Sequence, residues 1–181
     1  MTTYISILRG INVGGNKKIK MDVLREMYTS LGYADVKTYI QSGNVIFRAS
    51  ETDVTIIQKE IKSGILLAFG FDIPVLILTV QDIRNALKNN PYIHDSSKDP
   101  AFIHLTFLSQ DPEKFILENL SSNNYSPDEF IYSGKTIYLY CPTGYGNTKL
   151  TNNFFESKLK VSATTRNLRT CNELLYLSEE L

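Results

Sequence analysis

The chain has 181 residues and carries 19 Lys and Arg against 19 Asp and Glu, so its formal net charge is zero. This length accommodates one large domain or two small ones, and its core needs neither a disulfide nor a metal for stability. Zero net charge argues against general attraction to nucleic acids or membranes. The sequence shows no signal-peptide pattern and no apolar run long enough to cross a bilayer, so we predict a cytoplasmic protein.

Positive charge is concentrated in two parts of the chain. Residues 1–50 contain seven Lys and Arg against three Asp and Glu, and residues 143–170 contain five cations against one acidic residue. The two basic segments could converge on one site, or they could be solvated surface lysines. Their positions make an anionic ligand the first hypothesis.

The first half predicts alternating strands and helices. The patterns indicate a strand over residues 3–9, a helix over 21–31, strands over 36–40 and 45–47, a helix over 53–69 and a strand over 73–79. The two central strands are joined by Gln41-Ser42-Gly43-Asn44, which has the chemistry of a hairpin turn. The resulting β-α-β-β-α-β order predicts a ferredoxin-like subdomain over residues 1–80.

The second half partly repeats this order. A capping box at Thr79 and Asp82 predicts a short helix that ends near residue 90, and residues 91–100 suggest a loop. There follow a strand over 101–108, a helix from 111 to about 120, a hairpin over 130–140 and a helix over 151–159. A last helix is predicted with Thr170 as its cap. We therefore expect an α+β fold in which a second subdomain, ferredoxin-like or divergent, spans residues 81–181 and packs with the first as one compact unit.

A glycine-rich segment joins the first strand to the first helix. Its candidate ligand-binding residues are Arg9, Gly10, Asn12, Gly14, Gly15 and Lys17. Gly10 and Gly15 have the spacing of a P-loop, but Asn16 displaces the lysine and Lys18 replaces the hydroxyl that would bind Mg²⁺. The segment is therefore not a nucleotide motif. It could supply backbone donors and cations to an anion, or be a tight turn with solvated lysines.

The predicted hairpin turn is a second candidate, with Gln41, Ser42 and Asn44 as its polar residues. Turn chemistry explains Ser42, Gly43 and Asn44 without any ligand. Gln41 is harder to explain, because a long amide at a strand end adds little to a turn.

The third candidate lies in the second basic segment, where Lys149, Thr165, Arg166 and Asn167 are the predicted ligand-binding residues. The polar run 163–170 precedes the last helix, whose N-terminal partial positive charge adds to the arginines. An arginine fork suits phosphate or carboxylate. The alternative is a loop in which the arginines brace backbone carbonyls.

No catalytic constellation is visible, so the catalytic residues remain unknown, and we predict no cofactor and no metal. His94 and His104 have no second ligand at metal-binding spacing. Cys141 and Cys171 match no metal or redox spacing and are interpreted as buried thiols.

Three motifs together resemble the bacterial domain-of-unknown-function family DUF1697. They are the segments 8–15 (Leu-Arg-Gly-Ile-Asn-Val-Gly-Gly), 38–45 (Thr-Tyr-Ile-Gln-Ser-Gly-Asn-Val) and 164–167 (Thr-Thr-Arg-Asn), with a Lys-Leu pair at 149–150. The chain departs from the family pattern at Lys20, where proline commonly opens the helix, and at Leu168, where an aromatic residue is usual. The resemblance implies two linked α+β subdomains and no established activity.

Three hypotheses for function follow. The first is a cleft between the subdomains that binds a phosphorylated or otherwise anionic small molecule and is formed by Arg9, Asn12, Lys17, Lys149, Arg166 and Asn167. The second is a module for single-stranded RNA or DNA in which Tyr39 stacks on a base. The third is a structural or interaction protein whose polar motifs brace the fold.

Overall fold

A computed structural model describes residues 1–121 and 123–181. In these residues the chain forms two four-stranded antiparallel sheets with helices, the α+β class that the sequence predicts. The structure divides into two compact units, Met1–Arg84 with Glu173–Leu181, and Asn85–Asn172. No helix of the described residues has the length and hydropathy needed to cross a membrane.

The first unit contains four strands and two helices in ferredoxin-like order. The elements are β1 (Thr2–Leu8), α1 (Met21–Ser30), β2 (Ala34–Tyr39), β3 (Asn44–Ala49), α2 (Val54–Phe69) and β4 (Val75–Thr79). The strands lie in the order β2-β3-β1-β4, and every neighbouring pair is antiparallel. The predicted ferredoxin-like subdomain is confirmed.

Both helices of this unit bury one apolar face against the sheet. In α2 the buried residues are Ile57, Ile61 and Ile65, whose spacing of four places them on one side of the helix. Asp53 caps the start of α2 by accepting a hydrogen bond of 2.8 Å from the Thr55 N–H. Gly70 ends it with φ 72°, a left-handed conformation that glycine adopts without strain.

One polar contact lies inside this core. The hydroxyls of Tyr28 on α1 and Ser6 on β1 share a hydrogen bond of 2.6 Å, and both residues are fully buried. We expect Tyr28→Phe to lower the free energy of unfolding by about 1–2 kcal/mol, because it leaves the buried Ser6 hydroxyl without its partner. Urea denaturation measures the change. Tyr39→Phe, at a half-buried strand end, is the control and is expected to change stability by less than about 0.5 kcal/mol; equal losses in the two variants would contradict the prediction.

The second unit repeats the same connectivity. Its elements are β5 (Ile103–Leu108), α4 (Lys114–Ser121), β6 (Glu129–Ser133), β7 (Thr136–Tyr140), α5 (Asn152–Leu159) and β8 (Ala163–Asn167), with the strand order β6-β7-β5-β8. A helix follows each sheet, α3 (Val80–Lys88) after the first and α6 (Leu168–Glu179) after the second. The boundaries between the units fall within α3 and within α6.

The repeat extends to individual backbone hydrogen bonds. Leu8, the last residue of β1, donates its N–H to the Gly43 carbonyl in the hairpin turn at 2.8 Å. Leu108, the last residue of β5, donates to the Lys135 carbonyl in the corresponding turn, also at 2.8 Å. The two units therefore provide matched positions that can be compared with each other.

The repeats differ in the segment between the first strand and the first helix. In the first unit this segment is residues 9–20, whereas in the second it is residues 109–113. The longer segment holds the glycine-rich motif. The second unit makes the same connection with fewer residues, so the glycine-rich motif is an insertion relative to the second unit.

In the second half, the structure confirms one local prediction and corrects two others. The capping box before α3 is confirmed, because the Asp82 carboxylate accepts from the Thr79 N–H at 2.8 Å and the Thr79 hydroxyl accepts from the Asp82 N–H at 3.1 Å. The predicted loop over 91–100 was wrong in part, since 3-10 helices span Pro91–His94 and Pro100–Phe102. The predicted cap of the last helix was also wrong, because α6 begins at Leu168 and the Asn167 side chain accepts from the Thr170 N–H at 2.8 Å.

Candidate functional site

The glycine-rich segment folds back on itself as a small hairpin. The Asn16 N–H donates to the Val13 carbonyl at 3.0 Å, and the two residues form an antiparallel bridge. Gly14 and Gly15 between them have φ 58° and 78°. Positive φ at both central positions is what a type I′ turn requires, so these glycines are explained by the turn itself.

Two buried isoleucines hold the ends of this hairpin. Ile11 is 1% exposed and Ile19 is 4% exposed, and both belong to the core of the first unit. Residues 13–18 between them are all exposed. The segment is therefore anchored at its base, and its tip faces solvent.

Asn12 joins the hairpin to the neighbouring turn. Its Nδ2 donates to the carbonyls of Ile19 and Gln41, each at 2.9 Å, and its Oδ1 accepts from the Ile19 N–H at 2.8 Å. Its φ of 54° is a conformation that asparagine tolerates better than most residues. All the hydrogen-bonding groups of this side chain thus have partners within the protein, which makes Asn12 a link between two loops.

The Gln41–Asn44 turn is held from within in a similar way. Asn44 is fully buried, and its Nδ2 donates to the Tyr39 carbonyl at 3.1 Å and to the Ser42 hydroxyl at 2.9 Å. Gly43 has φ 80° and packs against Leu8. Gln41, by contrast, has an exposed side chain. Of the predicted residues in this turn, Gln41 is the one whose side chain is available to a ligand.

A pocket of about 720 Å³ opens between the base of the glycine-rich hairpin, the Gln41 turn and the start of α1. Three residues predicted from the sequence line it, namely Asn12, Gly15 and Gln41. Arg9, Gly10, Gly14 and Lys17 are not among its lining residues. The structure therefore brings the first and second candidate motifs together at one concave surface within the first unit.

Charged residues outside the predicted set also line this pocket. Lys18, Lys20 and Arg25 contribute three cations, and Asp22 contributes one carboxylate. In the part of the chain that the structure describes, neither Lys18 nor Lys20 forms an ion pair, and both are exposed. Arg25 donates from Nη1 to the Thr38 hydroxyl at 3.1 Å. The pocket thus carries an excess of positive charge.

Backbone donors at the start of α1 add to this charge. The residue at the cap position is Lys20, whose side chain makes no capping hydrogen bond. Asp22 satisfies one N–H of the first turn, because its Oδ1 accepts from Val23 at 2.8 Å. Lys20, Met21 and Asp22 all line the pocket, so the partial positive charge of the helix N-terminus reaches it.

The predicted residues of the second basic segment lie in the second unit, and three of them, Thr165, Arg166 and Asn167, make structural contacts there. The Thr165 hydroxyl donates to the Asn152 Oδ1 at 2.7 Å and contacts the Thr106 hydroxyl at 2.7 Å. Asn167 caps α6. Lys149 is exposed. Residues 163–167 form strand β8, a correction to the irregular polar run expected before the last helix, because β5 pairs with them throughout.

Arg166 lies within β8 and is half-buried. Its Nη1 donates to the Thr165 carbonyl at 2.8 Å. Burial lowers the pKa of the guanidinium to about 10, so the side chain stays charged at neutral pH. A carbonyl partner of this kind fits the bracing role that the sequence left open as an alternative. The convergence of Arg9 and Arg166 on one cleft stays a prediction.

Sequence reasoning missed the lysines, arginine and aspartate of the pocket as a set. Lys18 is adjacent to the predicted motif, and Asp22 and Arg25 lie within the next two turns of chain. A signal was present, because residues 17–25 contain four cations around one carboxylate. What the sequence did not provide was the direction in which the first turn of α1 faces.

The two cysteines are not activated as nucleophiles. Burial raises the pKa of the Cys141 thiol to about 11 and that of Cys171 to about 12, so both stay protonated at neutral pH. Both are free and buried, as the sequence predicts. His104 stacks on Tyr145 with 5.0 Å between ring centroids, and burial lowers its pKa. No group of three potential metal ligands occurs among the described residues.

Comparisons with known proteins agree with the fold and the motifs. A solved structure described as conserved bacterial protein SP0830 from Streptococcus pneumoniae matches with a TM-score of 0.76 and 22% identity, covering 98% of each chain. This likeness shows a shared fold. No curated protein matches the chain. The model of the family described as protein of unknown function (DUF1697) matches residues 1–138, and the chain belongs to this family.

Proposed function

We propose that the protein binds an anionic small molecule in the pocket of its first unit. The observation that carries the proposal is the lining of this pocket, in which three cations face one carboxylate around a volume of about 720 Å³. Pockets of this size commonly bind small organic ligands. Lys18 and Lys20 supply charge, and Gln41 supplies an amide that has both a donor and an acceptor.

Charge and backbone geometry both favour an anion over a cation or a neutral ligand. Lys18 and Lys20 have no carboxylate partner among the described residues, so an anion gains their attraction without displacing an existing ion pair. The start of α1 lines the same pocket through Lys20, Met21 and Asp22, so the partial positive charge of the helix N-terminus acts on a ligand there. A phosphate group fits such donors well, because it offers several acceptor oxygens at once.

The internal repeat gives an independent reason to assign the site to the first unit. The connection at 109–113 is short and contains Asp111 and Glu113, whereas residues 9–20 contain four cations and no acidic residue. The second unit closes its fold without the long basic segment. That segment is therefore not needed to complete this topology, which supports a role in binding.

Neutralising two cations tests the proposal. We expect Lys18→Gln/Lys20→Gln to weaken the binding of ribose 5-phosphate by about 10- to 100-fold, because each exposed lysine contributes about 0.7–1.4 kcal/mol to binding and two are lost. Isothermal titration calorimetry measures the dissociation constant and the stoichiometry, which is expected to be one per chain. Lys59→Gln/Lys88→Gln removes the same charge from exposed positions outside the pocket and is the control.

The same titrations separate the rival functions. Unchanged affinity in the Lys18/Lys20 variant, or equal weakening in the control, would show that the pocket is not the site. A single-stranded RNA module predicts instead that oligouridylate binds with an affinity that falls steeply with salt. A purely structural protein predicts no binding of ribose 5-phosphate, AMP, inorganic phosphate or oligouridylate.

A further inference from the structure

The pocket is larger than a simple oxyanion needs. Its volume of about 720 Å³ lies within the range of about 300–1,000 Å³ typical for small organic ligands. Ile19 and Met21 add apolar surface to the lining. A ligand that fills this space therefore carries a carbon skeleton in addition to its anionic group.

Asp22 supplies a feature that disfavours a bare phosphate. One carboxylate oxygen, Oδ1, accepts from the Val23 N–H, and the other accepts no hydrogen bond from the residues that the structure describes. A carboxylate is an acceptor without donors, so it repels an oxyanion and attracts a hydroxyl. A ligand with hydroxyl groups next to its anion satisfies Asp22 and the lysines together.

The other polar side chain available in the lining is Gln41. Within the described chain, its amide makes no hydrogen bond, although its backbone carbonyl accepts from Asn12. The amide offers a donor and an acceptor, which again suits hydroxyl groups. None of the lining residues is aromatic, so the pocket has no ring on which a nucleobase could stack.

We infer that the ligand is a sugar phosphate, with its phosphate on Lys18 and Lys20 and its hydroxyl groups donating to Asp22. This inference rests on the proposed anion-binding function and narrows the ligand to one chemical class. The mixed lining is the reason. The lysines match the phosphate, and the Asp22 oxygen and the Gln41 amide, which have no partner among the described residues, match the sugar hydroxyls.

Calorimetry with three probes tests the inference. We expect wild-type protein to bind ribose 5-phosphate at least about tenfold more tightly than inorganic phosphate, and no more weakly than AMP. Asp22→Asn removes the repulsion between the Asp22 carboxylate and a phosphate, so we expect it to strengthen the binding of inorganic phosphate. The preference for ribose 5-phosphate over inorganic phosphate is then expected to fall below about threefold. Glu26→Gln removes a charge from the same helix outside the pocket and is expected to keep the preference unchanged.

Each contrary outcome identifies which claim fails. Equal affinities for ribose 5-phosphate and inorganic phosphate, both reduced in Lys18→Gln/Lys20→Gln, overturn the sugar-phosphate assignment and keep the anion site. Tenfold tighter binding of AMP than of ribose 5-phosphate also overturns the assignment. Absence of binding by all three probes overturns the assignment and the proposed function together. Circular dichroism of every variant shows that a lost response is not lost folding.

Discussion

Replacement of Gly43 by alanine is expected to lower the free energy of unfolding by about 2–4 kcal/mol. Gly43 has φ 80°, a conformation that costs an L-residue about 1–2 kcal/mol. An added Cβ would also lie 2.7 Å from the Leu8 Cβ and 2.9 Å from the Ile11 Cδ1. Both neighbours are fully buried, and a Cβ is not a flexible end that can move aside, so the overpacking adds to the backbone cost.

The second unit provides a control for this variant in a turn of the same kind. Gly134 occupies the corresponding hairpin turn with φ 54°, and the nearest atom to an added Cβ is an Asp111 carboxylate oxygen at 3.8 Å. Gly134→Ala therefore has the conformational cost of a positive φ but no steric clash. We expect it to lower the free energy of unfolding by about 1–2 kcal/mol. Urea denaturation with fluorescence compares the two. If the two variants lose equal free energies of unfolding, the close packing of Gly43 against Leu8 and Ile11 contributes nothing to the effect of the substitution.

Asn12→Asp is expected to lower the free energy of unfolding by about 2–3 kcal/mol. Aspartate keeps the acceptor for the Ile19 N–H and tolerates the positive φ of this position. It loses both donors, however, and places a carboxylate 2.9 Å from the carbonyls of Ile19 and Gln41. The hairpin and the Gln41 turn then repel each other at the position where they now join, so the pocket is expected to lose affinity for ribose 5-phosphate as well.

Asn16→Asp is the control for this substitution. It makes the same chemical change in the same hairpin, at an exposed side chain, and we expect a change below about 0.5 kcal/mol. Urea denaturation measures stability, and calorimetry with ribose 5-phosphate measures binding. If Asn12→Asp and Asn16→Asp lose the same stability, Asn12 is not the link between the loops.

Local sequence patterns were sufficient to predict most of the helices, strands and turns of the fold. The apolar spacing of α2, the capping box before α3 and the hairpin turn at Gln41–Asn44 are each determined by neighbouring residues, and each is confirmed. Strand β8 was not predicted because its formation depends on pairing with β5, some sixty positions earlier in the chain. The start of α6 was misplaced because Asn167 and Thr170 are both good caps, and local chemistry does not choose between them.

The site was less predictable than the fold. Glycines and asparagines of the first motif were recognised as unusual, and the structure explains Gly14, Gly15 and Asn12 by turn geometry and by hydrogen bonds within the protein. Lys20 and Arg25, which line the pocket, were not selected, because a cation in an exposed segment has the same local pattern whether or not it faces a cavity. Only the packing of residues 9–20 against the Gln41 turn and α1 distinguishes Lys18 and Lys20 from other surface lysines.

A crystal structure of the protein with ribose 5-phosphate would show whether the ligand occupies the pocket of the first unit. We expect the phosphate in the pocket of the first unit, within hydrogen-bond distance of the Nζ atom of Lys18 or Lys20, and a sugar hydroxyl that donates to the Asp22 carboxylate. A phosphate bound at Arg166 or elsewhere in the second unit, or an empty pocket at a concentration that saturates binding in solution, would contradict it.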